Sequence, residues 1–426
     1  MTFESFRLLD LENLSVELIR RRATKWDMTS ARRTKSYQVR QVGSPNARPK
    51  CHLVGPSATW SAQLLLGWSR SGSTSSSWHP RTSPTRSHQG VLIMKLSTVA
   101  IDVGYGNTKS AFPLGSDIAT NMFPSLAPIA STTSLTPHSG SILRSRDVVN
   151  VLVDGARYEV GPEVSLSAPR GNTGRSLSED FVTTANYAAL LAGALHYSKA
   201  TEIDRLVLGL PVHNTQKYAG YLKDRFSGEL EFGWGPIHVR SVLPLPQPLG
   251  TLITFIQQSG KQYDPDNSYL VIDVGYFTTD WVVARGYTMD DSRSGGVPGG
   301  ASSIYQQVAS LIAKAEGEPV DSIERIDKAI REVKPMLFFN KDLDVRPFLE
   351  EAIAVSRASV KEVQARVGRT EDIRAIILTG GGANLYAPAI KAAFPRNTVQ
   401  VMDAPCFANV RGFYTIGSAR QMSKSS

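Results

Sequence analysis

Two short stretches of this 426-residue chain carry the residue types that handle phosphate and a hard cation: Asp102-Val-Gly-Tyr-Gly-Asn-Thr-Lys109 and Asp273-Val-Gly-Tyr-Phe-Thr-Thr-Asp280. In the first, a β-branched apolar run ends at Asp102 and gives way to Gly104 and Gly106, then Asn107, Thr108 and Lys109. Glycine permits positive φ and close backbone approach, so amide groups can point at phosphate oxygens, while a hydroxyl and an ammonium add further contacts. Asp102, at the strand end, would face Mg²⁺ through water, since that ion keeps much of its hydration shell. The second stretch has the same strand-turn-strand form, with Gly275 at the turn and Thr278, Thr279 and Asp280 able to meet phosphate or metal-bound water. Either stretch alone also suits a plain hairpin. The pair asks for more, because one carboxylate on each wall of a cleft can share a metal–phosphate unit.

A third stretch, Ile376-Ile-Leu-Thr-Gly-Gly-Gly-Ala383, is an apolar strand that breaks into Gly380, Gly381 and Gly382 before a helical pattern. Bare backbone there would let adenine and ribose lie flat, and the helix start would favour a nearby anion. The plainer alternative is an ordinary strand-to-helix turn, which needs fewer than three glycines. Other glycine motifs are excluded: a Walker loop needs glycine where Thr108 stands, and a dinucleotide fingerprint needs one where Lys109 stands.

The elements that must position these residues alternate along the chain, which predicts an α/β architecture with helices flanking mixed sheets. Strands are expected over 98–103, 149–153, 205–210, 237–242, 269–274, 280–284, 373–379 and 399–402. Helices are expected over 181–197, 216–226, 250–258, 303–315, 322–333, 348–367, 383–394 and 409–421. The two Asp-Val-Gly-Tyr stretches are a weak internal repeat about 170 residues apart. That period is far too long for a solenoid, and it predicts two similar domains with the ligand in the cleft between them. The polar stretch 259–267 would connect them.

Composition limits the function classes. The formal net charge is +9, but residues 1–93 hold 14 Lys/Arg against 5 Asp/Glu, leaving 33 of each from Met94 onward. The body is neutral and carries no basic face for direct DNA binding. Residues 1–93, rich in Ser, Arg and Pro, read either as a disordered basic arm or as a stretch upstream of the natural start at Met94. Four of the six Trp fall there without periodicity, an odd composition for a disordered tail, which favours the second alternative. The uncharged stretch 181–198 is short of the roughly 20 apolar residues a bilayer needs and reads as a buried helix. No secretory pattern precedes it, and Cys51 and Cys406 form no disulfide or metal pattern, which together suit the cytoplasm.

In order and spacing, the three glycine-containing stretches resemble the phosphate-one, phosphate-two and adenosine motifs of the actin, sugar-kinase and DnaK-type superfamily, from Val99 to about Gln421. The resemblance is nearest to bacterial actin-like ATPases of the ParM/StbA plasmid-segregation type. The wording of residues 100–109 and of Phe407-Ala-Asn-Val-Arg-Gly-Phe413 is similar to the protein D family of PRTRC plasmid cassettes. The resemblance implies an actin-like ATPase fold: two ribonuclease H-like sheets with flanking helices around a nucleotide cleft, domain I over 94–260 with a C-terminal helix over 405–421 returning to it, and domain II over 261–404. It implies ATP and Mg²⁺ as cofactors. Asp102 and Asp273 would flank the ion, and Gly104, Gly106, Asn107, Thr108, Lys109, Gly275, Thr278 and Thr279 would surround the phosphates. Gly380, Gly381, Gly382 and Ala383 would seat adenosine, with Gly300 near the ribose.

The helices over 181–197 and 409–421 resemble those that connect and hinge the two domains. Gln247 matches the position that orients attacking water, where ParM-like proteins carry Glu. An amide cannot act as general base and would hold water by hydrogen bonds, implying slow hydrolysis. Its plainer role is to cap the proline-rich turn 243–250. By the same resemblance the partners are further copies of the chain, in a cytoskeletal filament, and an adaptor bound to plasmid DNA, with no membrane. A non-polymerising ATP-binding scaffold is the alternative. A small-molecule kinase of the same superfamily is a further alternative, which would need a carboxylate base facing a substrate pocket, and the sequence singles out no residue for that role.

Overall fold

A computed structural model describes residues 94–130, 146–165, 175, 177–260, 263–286 and 288–422. The expectations for residues 1–93 lie outside these. The chain opens with β1 (Lys95–Val103), β2 (Asn107–Leu114) and β3 (Asp117–Pro124), an antiparallel meander. A separate hairpin, β4 (Val149–Val153) with β5 (Ala156–Val160), precedes helix α1 (Ala185–Ser198). Then come β6 (Glu202–Leu210), α2 (Val212–Phe226), β7 (Gly228–Glu231), β8 (Pro236–Val239), β9 (Val242–Pro246) and α3 (Gln247–Ser259). In the sheet, β6 runs parallel to β1, β9 runs parallel to the end of β6, and β8 pairs beside its start with β7 outside.

The second half repeats the plan with β10 (Ser268–Val274), β11 (Thr278–Arg285) and β12 (Thr288–Pro298). It continues through α4 (Ala301–Glu316), α5 (Ile323–Glu332), a small hairpin of β13 (Met336–Phe338) and β14 (Lys341–Leu343), α6 (Arg346–Ala352) and α7 (Arg357–Val367). It closes with β15 (Ile373–Thr379), α8 (Ala383–Ala393), β16 (Val399–Val401) and α9 (Ala408–Met422). Its sheet order is β12-β11-β10-β15-β16. Three antiparallel strands followed by two parallel ones match β3-β2-β1-β6-β9, so the repeat read in two short stretches extends to the topology of both sheets. β1 and β10 are central and buried on both faces, which is why they read as near-continuous apolar runs.

Two helices pack between the sheets. On α3, Leu252 and Phe255 join Tyr269, Val271 and Val282 of the second sheet, while Ile253 joins Ala100, Val207, Val410 and Phe413 on the side of the first. From β6, Arg205 donates to the Gly417 carbonyl of α9 at 2.6 Å, tying this helix to the first sheet. α3 and α9 cross where Gly250 meets Gly412, and a Cβ on either glycine would run into the other helix.

This corrects the assignment of residues 181–197 as one of the connecting helices. Residues 181–183 form a 3-10 turn, Thr184 caps α1 by accepting from the Tyr187 amide at 3.2 Å, and the small and aliphatic residues of α1 are buried in the first core alone. The helix expected over 348–367 is broken by a 3-10 segment, Ile353–Ser356. The strand expected over 237–242 is two strands, β8 and β9, laid one after the other along β6. Among the described residues, no helix is long and apolar enough to cross a membrane.

Candidate functional site

The two hairpins β1–β2 and β10–β11 form by the same backbone contact. The Gly104 amide donates to the Asn107 carbonyl at 3.2 Å, and the Gly275 amide to the Thr278 carbonyl at 2.9 Å. Their tips meet. A Cβ on Gly106 would lie 2.6 Å from the Tyr276 Cβ, so glycine at 106 is what allows the hairpins to approach this closely. Tyr105 is sandwiched between Phe181 and Phe277, with ring centroids 5.0 and 5.1 Å away.

Behind the tips lies a cleft of about 760 Å³, continuous with solvent and lined on one side by Asp102, Gly104, Gly106, Asn107, Lys109 and Gln247, on the other by Asp273, Gly275, Tyr276, Thr278 and Gly380 to Gly382. Lys109 Nζ stands 3.1 Å from Asp102 Oδ2, Gln247 Nε2 donates to Asp102 Oδ1 at 2.7 Å, and Asn409 Nδ2 donates to Asp273 Oδ2 at 2.6 Å. Burial, then the nearby charge of Asp102, pushes the Asp273 carboxyl up to about 7, against the opposing pull of Lys109 and the Asn409 amide. For Lys109, burial works against the charge, but Asp102 and Asp273 outweigh it and raise its pKa. Two buried acids thus share one buried ammonium.

Oxygen donors of this kind suit a hard divalent cation, whose charge would oppose both the burial and the repulsion that raise the Asp273 carboxyl. Among the described residues no group of three or more His, Cys, Asp or Glu is arranged to hold a metal. Mg²⁺ requires no such cage, because it is usually bound through one or two carboxylates together with water and substrate phosphate.

Five residues expected at the site do not line the cleft: Thr108, Thr279, Gly300 and Ala383, and Asp280 described below. Thr108 follows the alternation of β2, which turns Asn107 and Lys109 to the cleft and sends the Thr108 hydroxyl to Ser125 Oγ at 2.9 Å on the other face. Thr279 likewise donates to the Gly299 carbonyl at 2.8 Å. Gly300 packs its Cα under the turn of the second hairpin, where a Cβ would stand 2.6 Å from the Gly275 carbonyl. Ala383, the first residue of α8, is fully buried.

The triple glycine has a structural reason beyond a flat surface. Gly380 sits at φ +87°, where a side chain would strike Asp273 and the Val274 carbonyl, and a Cβ on Gly382 would lie 2.5 Å from Val274. The amides of Gly380 and Gly382 are already engaged with the carbonyls of Pro405 and Val274, so only part of this turn is free to meet a ligand. Gln247 is the first residue of α3, and its amide reaches across to Asp102 rather than capping the proline-rich turn.

The cleft also holds residues that sequence reasoning missed. Asp327 and Arg331, paired at 3.0 Å one helical turn apart on α5, line it with Tyr305, Cys406 and Asn409. The i, i+4 spacing of Asp327 and Arg331 was visible, but an exposed charged face on an amphipathic helix carries the same pattern. Asp280 is buried and turned out of the cleft: its carboxylate accepts from the Val212 amide at 3.3 Å and faces His213 Nδ1 at 3.5 Å, so it pins the second sheet to the start of α2.

Comparison with known proteins agrees with this fold. Residues 100–250 match the model of the actin like proteins N terminal domain, and residues 271–392 match that of the archaeal actin homologue MreB-like C-terminal domain. An archaeal actin homolog of Thermoplasma volcanium is 24% identical over 330 residues, 74% of this chain and 97% of the relative. Among solved structures, a 15-stranded ParM filament from Clostridium botulinum superposes with a TM-score of 0.61 at 22% identity, covering 76% of this chain and 99% of that one. An archaeal actin homolog in complex with ADP superposes at 0.58 and 20% identity, covering 78% of this chain and all of that one.

Proposed function

We propose that this chain, an actin-like protein related to ParM and to archaeal actin homologues, closes its cleft on Mg-ATP and couples the bound nucleotide to self-assembly into a filament. The observation that carries the reading is the pairing of Asp102 and Asp273 across one cleft with Lys109 between them. In that arrangement the two carboxylates would hold the ion, Lys109 and Asn107 would meet phosphate oxygens, with Gly104 and Gly275 keeping the turns bare of side chains beside them, and the triple glycine with Asp327 and Arg331 would bound the nucleoside end. The ion would supply charge neutralisation at the phosphates. Gln247, lacking a basic oxygen pair, would orient water rather than take its proton, so turnover is slow.

Assembly is supported by an apolar tip on the β13–β14 hairpin. Leu337 and Phe339 are 57% and 70% exposed, and Phe339 sits at φ 53°, a backbone position that glycine would fill without strain. By its resemblance to ParM/StbA and PRTRC protein D sequences, such a filament would position plasmid DNA through an adaptor.

Sedimentation of the full chain with ATP, ADP and no nucleotide tests this, with Asp273→Ala and Phe339→Gly as variants. ATP-dependent pelleting that both variants abolish is expected, while Phe339→Gly keeps its fold. The absence of any nucleotide-dependent pelleting or light scattering would remove the filament reading. A second reading, an ATP-binding scaffold that hardly hydrolyses, is favoured by the engagement of the Gln247 amide with Asp102. Equal, near-background phosphate release from wild type and Gln247→Ala would select it.

A further inference from the structure

Arg175 lies in the chain between β5 and α1, far from the motif residues, yet its side chain is only 7% exposed. Its Nε donates to Glu324 Oε1 at 3.0 Å. Its Nη1 donates to the carbonyls of Tyr105 and Gly106, the latter at 3.2 Å. The guanidinium lies over the Tyr276 ring, 4.3 Å from the centroid. Glu324 is held in turn by Ser322 Oγ at 2.8 Å and faces the Tyr276 hydroxyl at 3.5 Å. Thus one side chain joins the turn of the first hairpin, the tip of the second, and the first turn of α5, the helix that brings Asp327 and Arg331 to the cleft.

We propose that Arg175 is a positioning residue that ties the first phosphate hairpin to the second half of the molecule and so sets how long a nucleotide stays in the cleft. A peptide whose amide turns toward phosphate turns its carbonyl the other way, and that carbonyl needs a donor. Arg175 supplies it to the Tyr105 carbonyl and adds a second donor at Gly106, whose carbonyl also accepts from the Ser125 amide at 2.9 Å, and its planar fork leaves Nε for Glu324 and a face for Tyr276. Lysine has a point charge and no such plane, so it can replace one contact but not the set. Because the tied groups belong to both walls, separating the walls must break the tie. The Arg175–Glu324 pair is buried, and losing one partner leaves an unpaired charge in a poorly solvated place. The proposal rests on the nucleotide reading above.

The experiment uses full-length protein and two measurements. Release of a fluorescent ATP analogue with Mg²⁺ is followed by stopped-flow chase, and hydrogen exchange at 104–109 and 276–280 is measured without nucleotide. The variants are Arg175→Ala, Arg175→Lys, Glu324→Gln and the Ala/Gln double, with circular dichroism confirming that each folds. Arg175→Ala is expected to release the analogue roughly tenfold to a hundredfold faster with little change in association, as complexes altered at one contact usually behave. Arg175→Lys should fall between, and the double variant should be no worse than the worse single. Exchange should rise at both hairpins in each variant.

Unchanged release and unchanged exchange in Arg175→Ala would overturn the tie and leave the nucleotide reading standing. Wild type that binds no analogue would overturn the nucleotide reading and the residence-time role with it, whatever the exchange shows.

Discussion

The hairpins at Asp102 and Asp273 share a backbone and differ in what stands opposite the aspartate. In the antiparallel register Lys109 faces Asp102, whereas Asp280 faces Asp273. The first hairpin therefore keeps its cation inside the cleft, 3.1 Å from its acid, while the second sends its extra acid out to the start of α2. Their turns diverge too: Gly106 leaves room where Tyr276 and Phe277 fill it. One hairpin is arranged to grip charge and the other to lock the two halves together. A repeated fold can thus divide two tasks by changing two or three side chains on an unchanged frame.

The sharpest way to break this contrast is to remove each aspartate. On the proposed Mg-ATP reading, Asp102→Ala and Asp273→Ala should both lower Mg-ATP affinity by at least about a hundredfold in calorimetric titration, because an ion shared between the walls would lose a carboxylate from either one. A defect in only one of them would mean that the walls do not act together. Next in size, Lys109→Ala should weaken ATP binding on the order of tenfold or more, whereas Asp280→Asn should leave it within about twofold and lower the melting temperature instead. Reversal of those two effects would refute the division of labour.

Gly106→Ala should push the hairpins apart and weaken binding by roughly tenfold, since its Cβ meets Tyr276 Cβ while its backbone conformation tolerates alanine. Adding Tyr276→Gly removes the opposing carbon and should recover part of the loss. Binding by Gly106→Ala equal to wild type would show that the tips need not touch.

The smallest expected effect is in pH dependence. The hydrogen bond to Asp280 raises the His213 pKa above its ordinary 6.5, against the opposing effect of burial. The stabilisation this gives is fully present below pH 6.5 and is lost as pH rises through the raised value. His213 is partly exposed, so solvent screening should hold the change to within about 1 kcal/mol. Denaturant melts from pH 6 to 8 should decline more steeply in wild type than in Asp280→Asn, which keeps only the part of the slope that the raised Asp273 carboxyl contributes. The same slope in both would place its origin elsewhere.

Much of the cleft was legible because its parts are local: Asp102, Gly104, Gly106, Asn107 and Lys109 fall within eight residues, and period-two alternation alone explains why Thr108 turns away from them. Gln247 was found by resemblance, but its bond to Asp102 spans 145 positions and no spacing rule anticipates it. Arg175 and Glu324 carried no signal, since an isolated arginine and a helix-start glutamate are ordinary surface residues in any sequence. The connecting helix was assigned to 181–197 because an uncharged apolar run looks equally suited to any buried place, and only packing distinguishes one core from the space between two sheets.

By itself the sequence determined the two hairpins, the glycine break after β15 and the α/β alternation, because turn chemistry and side-chain period act over a few residues. Tertiary structure alone decided which charges share a cleft, which acid points away from it, and which arginine joins its walls. Those outcomes depend on distances between segments far apart in the chain, which a one-dimensional pattern does not contain.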